Sequence, residues 1–210
     1  MKTREQIERE CMAPLPREAV SQRSQGGTTL SYVDQHYVIS RLCDVLGPLG
    51  FETQTLALEA VCEPYKTTTS RGKEVWRVGY RATVRLTVHV PNDVHHTTIA
   101  KEGSGAGQGI DADLILAHES ALKEAETDAL KRAARLLGTS LGLALYDKDQ
   151  ADVVSEACAR VLRLVNDGAL AEAKAEAKRL WGELNAADRK RVTDAIKGAE
   201  ASTGTRTEAA

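Results

Sequence analysis

The sequence predicts an α+β fold: an antiparallel three- or four-stranded meander packed against one long helix, with a helical appendage at the C-terminal end. Three observations carry this expectation. Residues 75–90, VWRVGYRATVRLTVHV, alternate with a period of two. Trp76, Val78, Tyr80, Ala82, Val84, Leu86, Val88 and Val90 fall on one face, and Arg77, Arg81, Thr83, Arg85, Thr87 and His89 on the other, as in a strand with one buried and one wet side. In residues 117–150, Leu122, Ala129, Ala133, Leu137 and Leu141 recur at helical spacing, which predicts a long helix with that face buried. After residue 166 the composition shifts to alanine-rich, charged segments with short helical repeats.

In chain order, residues 1–15 form an N-terminal flank, a short charged helix stopped by Pro14 and Pro16. The main domain is expected over 16–165. Its first part, SQRSQGGTTLSY (21–32), reads as a turn, an extended stretch or a loop around Gly26-Gly27. Val33, Tyr37, Val38, Leu42 and Val45 predict an amphipathic helix ended by GPLG at 47–50. A strand follows from Phe51 to Cys62, and KTTTSRGK (66–73) makes a polar hairpin connection into the alternating strand. Residues 91–93 turn the chain into a third strand, VHHTTIA. The glycine-rich KEGSGAGQGID (101–111) is read as a flexible connection into the long helix; it lacks the GK[ST] ending of a phosphate loop. Gly138 and Gly142 end or bend that helix. A further helix is expected at about 151–164, then a two-helix hairpin over 166–200 that needs a docking surface, then a disordered tail at 201–210.

Composition excludes several classes. The chain has 210 residues, 42% hydrophobic and 28% charged, with a formal charge of −2. This suits a globular domain and argues against a uniform lysine coat, while leaving room for a local basic groove. Cys11, Cys43, Cys62 and Cys158 are scattered without metal-ligand spacing, so neither a disulfide framework nor a zinc site is expected. His95-His96 are neighbours on a predicted strand and point to opposite faces, which discounts a paired site. No apolar run reaches membrane length and the start lacks a signal-peptide core, so the expectation is an intracellular protein, cytoplasmic or in the nucleoid of a prokaryote. No cofactor is expected.

The charged candidates are few. Lys131 and Arg135 lie four apart and project with Arg132 as a cationic edge beside the apolar stripe, either as a solvated helix face or as a site for an anionic partner. Asp128 can pair with Lys131 or Arg132. Arg77, Arg81 and Arg85 on the wet strand face suit either a phosphate path or pairing with carboxylates of a neighbouring strand or subunit. Asp111, Asp113, Asp147 and Asp149 are available to a metal-dependent nuclease, but their two i,i+2 pairs form no recognisable metal motif. A structural oligomer or protein-interaction module is the other alternative.

Three segments, RSQGGTTLSYVDQH (23–36), VWRVGYRATVRLTV (75–88) and ETDALKRAARLLGTSLGLALYDKD (126–149), resemble the conserved core of the Rad52 single-strand annealing family. The likeness runs from about Pro16 to Gln150. It implies a Rad52-like fold, a homo-oligomeric ring, and single-stranded DNA held in a groove and annealed without ATP or covalent chemistry, in homologous recombination or repair. The family's groove residues match Arg23, Tyr32, Lys131, Arg132 and Arg135; Arg77, Arg81 and Arg85 are candidates for additional DNA contacts from their place on the wet strand face, not from the resemblance. The segment between Arg23 and Tyr32 is one residue shorter than in the best-known eukaryotic members. The lysine of the family's outer duplex site falls in IDADL, where Ala112 stands between two aspartates. Nothing after Gln150 resembles the family's tail for recombinase or single-strand-binding protein, so no such partner, and no nuclease partner, is identified.

Overall fold

The computed structural model describes residues 2–25, 27–91 and 96–207. Helix α1 (Arg4–Cys11) leads through a two-residue strand β1 (Leu15–Pro16) to a hairpin of β2 (Val20–Gln25) and β3 (Thr28–Val33). Helix α2 (Gln35–Leu46) precedes the main sheet of β4 (Phe51–Ala60), β5 (Tyr65–Thr68), β6 (Glu74–Pro91) and β7 (His96–Asp111). Helix α3 (Leu114–Ala134) then gives way to a series of 3-10 turns from Arg135 to Tyr146. Strand β8 (Val153–Val154) pairs with β1, and helices α4 (Glu156–Asn166), α5 (Leu170–Leu180) and α6 (Ala186–Thr207) complete the described chain. The α+β meander against a long helix is therefore what the chain forms.

Strand β6 is the centre of the sheet. It pairs antiparallel with β7 along one side from Trp76 to Pro91, and with β4 and then β5 along the other. The predicted alternation holds: Val78, Ala82, Val84, Leu86, Val88 and Val90 are buried, while Arg81 is exposed. The buried face meets α3 and α2, whose Val38, Leu42 and Val45 complete the core with Ile7 and Cys11 of α1. The N-terminal flank thus belongs to the core.

Residues 101–111 differ from the expected flexible connection, because the strand predicted to end near Ala100 continues to Asp111. The reason is a backbone-to-backbone interface. Gly103, Gly105, Gly107 and Gly109 face the helix at every second position, and α3 presents Ala117, Ala121, Ala125, Ala129 and Ala133 at every fourth, all fully buried. Two strand residues advance about 6.7 Å and four helix residues about 6 Å, so the two small-residue repeats stay nearly in step. A Cβ added at Gly103, Gly105, Gly107 or Gly109 would lie 1.7–2.3 Å from a backbone atom of α3. The glycines let the helix rest directly on the strand. This also corrects the predicted helical stripe: the buried series is the alanines, Leu122 is only partly buried, and α3 ends before Leu137 and Leu141.

The stretch 21–32 is an ordered hairpin rather than a loop, with register Ser21↔Tyr32 and Arg23↔Leu30. Gly26, the turn expected at 91–93 beyond Pro91, and His95 lie outside the described residues. Helix α4 starts at Glu156 rather than Ala151, and the predicted hairpin docks on it. Cys158, Val161 and Leu162 of α4 share a second core with Ala173, Ala177 and Leu180 of α5, Leu184, and Val192 of α6. Helix α6 runs on to Thr207, into the stretch read as a disordered tail.

Candidate functional site

The hairpin and the C-terminal end of α3 enclose a groove of about 450 Å³. Arg23 and Tyr32 reach it from the hairpin, Lys131, Arg132 and Arg135 from the end of α3, and Tyr146 and Gln150 from the segment beyond the 3-10 turns. Its lining carries four cations and one carboxylate, Asp128, in a chain whose overall formal charge is −2. Local convergence outweighs net charge here, since a concave, low-dielectric wall concentrates the field of its own residues.

Each side chain is placed by a local feature. Tyr32 pairs across the hairpin with Ser21, so Arg23, two residues along, lies diagonal to it on the same face. The Arg23 guanidinium sits 5.8 Å from the Tyr32 ring centre, and the Lys131 ammonium 5.4 Å from the same ring. One aromatic ring thus holds two cations about 108 residues apart in the chain, by attraction to its electron-rich face. Arg135 follows Lys131 by one turn and lies 4.1 Å from the ring of Tyr146. Arg132 Nε donates to Asp128 Oδ2 at 2.9 Å, which resolves the choice of partner for Asp128 and leaves Lys131 to the ring.

The chain after α3 is pinned behind the groove. Gly142 adopts φ +106, a left-handed conformation that glycine reaches without strain, and turns the chain beside Val33. Arg41, nearly buried, donates to Ser140 Oγ at 3.3 Å and to the Glu10 carbonyl at 2.7 Å, and Tyr37 Oη donates to the Ser140 carbonyl at 3.0 Å. These bonds fix Leu141 and Gly142 as a groove wall, and burial pushes the Tyr37 phenol up to about 12.

The structure brings Arg23, Tyr32, Lys131, Arg132 and Arg135 together, and places Arg77, Arg81 and Arg85 elsewhere. Those three lie on the sheet face turned away from α3, where Arg81 pairs with Glu59 and Arg85 Nη2 with Glu102 at 2.7 Å. Of the two readings of these arginines, cross-strand carboxylate pairing describes Arg81 and Arg85. Sequence reasoning missed Tyr146, Gln150 and Glu124. Tyr146 lies in an irregular segment with no period to betray its direction, and Gln150 has φ +44, a conformation no pattern announces. Glu124 reads as an ordinary exposed helix acid until the fold brings Arg23 within 3.6 Å of it.

Of the four aspartates weighed for a metal-dependent nuclease, three serve the backbone. Asp113 caps α3 by accepting from Ile115 and Leu116 N–H, Asp111 accepts from Asp113 N–H, and Asp147 accepts from Ala151 N–H at 3.1 Å. Among the described residues no group of three or more His, Cys, Asp or Glu is placed to hold a metal ion. No helix among them is long and apolar enough to cross a membrane.

The chain is also similar in sequence to known proteins. Residues 3–160 match the model of the Rad52/22 family of double-strand break repair proteins. Over 132 residues, 62% of this chain, it is 30% identical to the DNA repair and recombination protein rad22 and 31% identical to the DNA repair and recombination protein rti1, both of Schizosaccharomyces pombe. The matched region is 26% and 33% of those two proteins, so this chain corresponds to less than half of either. The match takes in the hairpin, the meander, α3 and the groove between them, and the chain belongs to the Rad52/22 family.

Proposed function

We propose that this protein binds single-stranded DNA and anneals complementary strands without nucleotide hydrolysis, acting in DNA repair and homologous recombination as a homo-oligomer, a ring in the family's manner. The observation that carries the reading is the convergence of Arg23, Lys131, Arg132 and Arg135 around Tyr32 in one open groove. Phosphates take the four cations, which neutralises the repulsion between two approaching strands. Bases are not needed for these contacts and stay available for pairing. Tyr32 and Tyr146 offer ring faces on which a sugar or base can rest. Repetition of the groove around an oligomer turns a modest protomer affinity into firm retention. The name shared by rad22 and rti1 supports the repair and recombination setting.

Fluorescence anisotropy with labelled oligo-dT and with a duplex of equal length, at several salt concentrations, tests the binding. The expected result is tighter retention of the single strand, weakening steeply with salt. Equal or tighter duplex binding, or indifference to salt, rejects the reading. Annealing of complementary strands is expected to proceed without ATP, and an absolute ATP requirement rejects that part.

The cross-strand pairs of Arg81 with Glu59 and Arg85 with Glu102 favour a second reading for the outer sheet face, as a structural or protein-contact surface. Assembly that resists salt, in a protein that ignores single strands, would make this the main reading.

A further inference from the structure

Strand β7 is an edge strand beyond β6, and its outward N–H groups need partners. Two are satisfied in an unusual way. Gln108 N–H donates to Glu124 Oε2 at 2.8 Å and Ala106 N–H donates to Asp128 Oδ2 at 3.3 Å. The carboxylates are one helical turn apart on α3 and the amides two residues apart on β7, the same near-commensurate spacing that seats the glycines on the alanines. Each carboxylate also faces a groove cation. Glu124 Oε1 lies 3.6 Å from Arg23 Nη1, and Asp128 Oδ2 accepts from Arg132 Nε at 2.9 Å. The arrangement is two parallel relays, from strand amide to helix carboxylate to groove arginine.

An edge amide needs only a neutral acceptor, so the amide bonds do not account for the charge. Each anion sits against a cation that a phosphate would otherwise take. Both pairs are substantially exposed, with Arg23 at 55% and Arg132 at 47% of full side-chain exposure. Exposed pairs of this kind are weak and exchange readily. When an arginine swings to a phosphate, the carboxylate remains held by its β7 amide and stays nearby to take the arginine back.

Resting on the single-strand reading above, we infer that Glu124 and Asp128 are internal counter-ions of the groove. They compete with phosphates for Arg23 and Arg132, so they lower the affinity and the salt dependence of binding and speed release. An annealing groove needs this property, because a strand held too firmly cannot shift register to find its complement.

The test is Asp128→Asn and Glu124→Gln, singly and together, in the full chain. Each keeps an acceptor for the strand amide and removes the charge. Anisotropy with labelled oligo-dT is expected to show binding about two- to fivefold tighter per protomer for each change. The plot of log affinity against log salt should steepen by up to about 0.7 per carboxylate replaced, the value for one phosphate of a single strand, and dissociation into excess unlabelled strand should slow. Glu172→Gln, which removes one exposed negative charge on α5, should change none of these. Weaker binding by both variants, with particle mass preserved, overturns the inference and makes the carboxylates positioning groups for the arginines. An equal gain from Glu172→Gln also overturns it, since net charge would then be the cause. If one variant fails to assemble, the other carries the test. If the unaltered protein ignores oligo-dT, the single-strand reading fails separately; the same variants are then measured with an abasic phosphodiester oligomer, where tighter binding supports the counter-ion role and unchanged binding rejects it.

Discussion

Replacing Gly107 by alanine adds one methyl group where the fold has no room. The new Cβ would stand 2.2 Å from the Ala121 carbonyl oxygen and 2.4 Å from the Ala125 nitrogen, both backbone atoms of α3. Relief by side-chain rotation is impossible, because neither contact is a side chain. Comfortable contact begins near 3.5 Å, so the helix must lift by about 1 Å. A gap of that size forfeits between a quarter and a half of the dispersion energy of the atoms it separates, and the alanine row from Ala117 to Ala133 shares the loss. Overpacking usually costs about 1–3 kcal/mol, and a rigid backbone interface belongs at the upper end, so about 3 kcal/mol is expected for G107A. That is a large part of the 5–15 kcal/mol typical of a domain. Gly105→Ala should cost a similar amount, and the double change less than the sum, because a helix already lifted accommodates the second methyl. Urea denaturation at fixed protomer concentration measures this, with Gly182→Ala as control, since a Cβ there meets nothing within 4 Å. Stability of G107A within about 0.5 kcal/mol of the unaltered protein, the scatter of harmless surface changes, at unchanged m-value, would refute the proposed interface.

Further outcomes follow from the groove and the cores. Alanine at Lys131, Arg132 and Arg135 together should abolish retention of a single strand while particle mass by light scattering is unchanged, and each single change should lower the salt slope by up to about 0.7; full binding by a correctly assembled triple variant rejects the groove. Tyr32→Ala should weaken oligo-dT binding more than Tyr32→Phe, because phenylalanine keeps a ring face for Arg23 and Lys131, a contact worth about 0.5–1 kcal/mol at exposed sites; equal losses would tie the effect to the hydroxyl. Burial pushes the thiols of Cys11 and Cys158 up to about 11 and about 12. Alkylation at pH 8 followed by mass mapping should therefore mark exposed Cys62 and reach Cys11 and Cys158 only after unfolding. For the same reason the folded state holds those protons more firmly than the unfolded chain, so the two thiols' contribution to stability should be full below about pH 9 and be lost between about pH 9 and 12. Cys158→Ala should lessen that loss, and thermal melts across the range would detect it.

Local repeats in the chain were enough for the strand at 75–90, for α2 and for the existence of α3, because a period of two or of three to four reports on the immediate backbone alone. The groove set was legible through family likeness: nothing in composition or spacing joins Arg23 and Tyr32 to Lys131, Arg132 and Arg135. The residues misread were those whose meaning depends on what faces them. KEGSGAGQGID has the composition of a loose connection, and it is a strand because an alanine lies opposite each glycine across the sheet-helix interface. Arg81 and Arg85 resemble a phosphate path until the cross-strand register sets Glu59 and Glu102 beside them. Glu124 looks like an ordinary helix-surface acid, and becomes a bridge between a strand amide and Arg23 when α3 is seated on β7. Periodicity is written along the chain, whereas register between distant segments is settled by packing, and charge pairing follows register because an ion pair needs its two groups within a few ångströms.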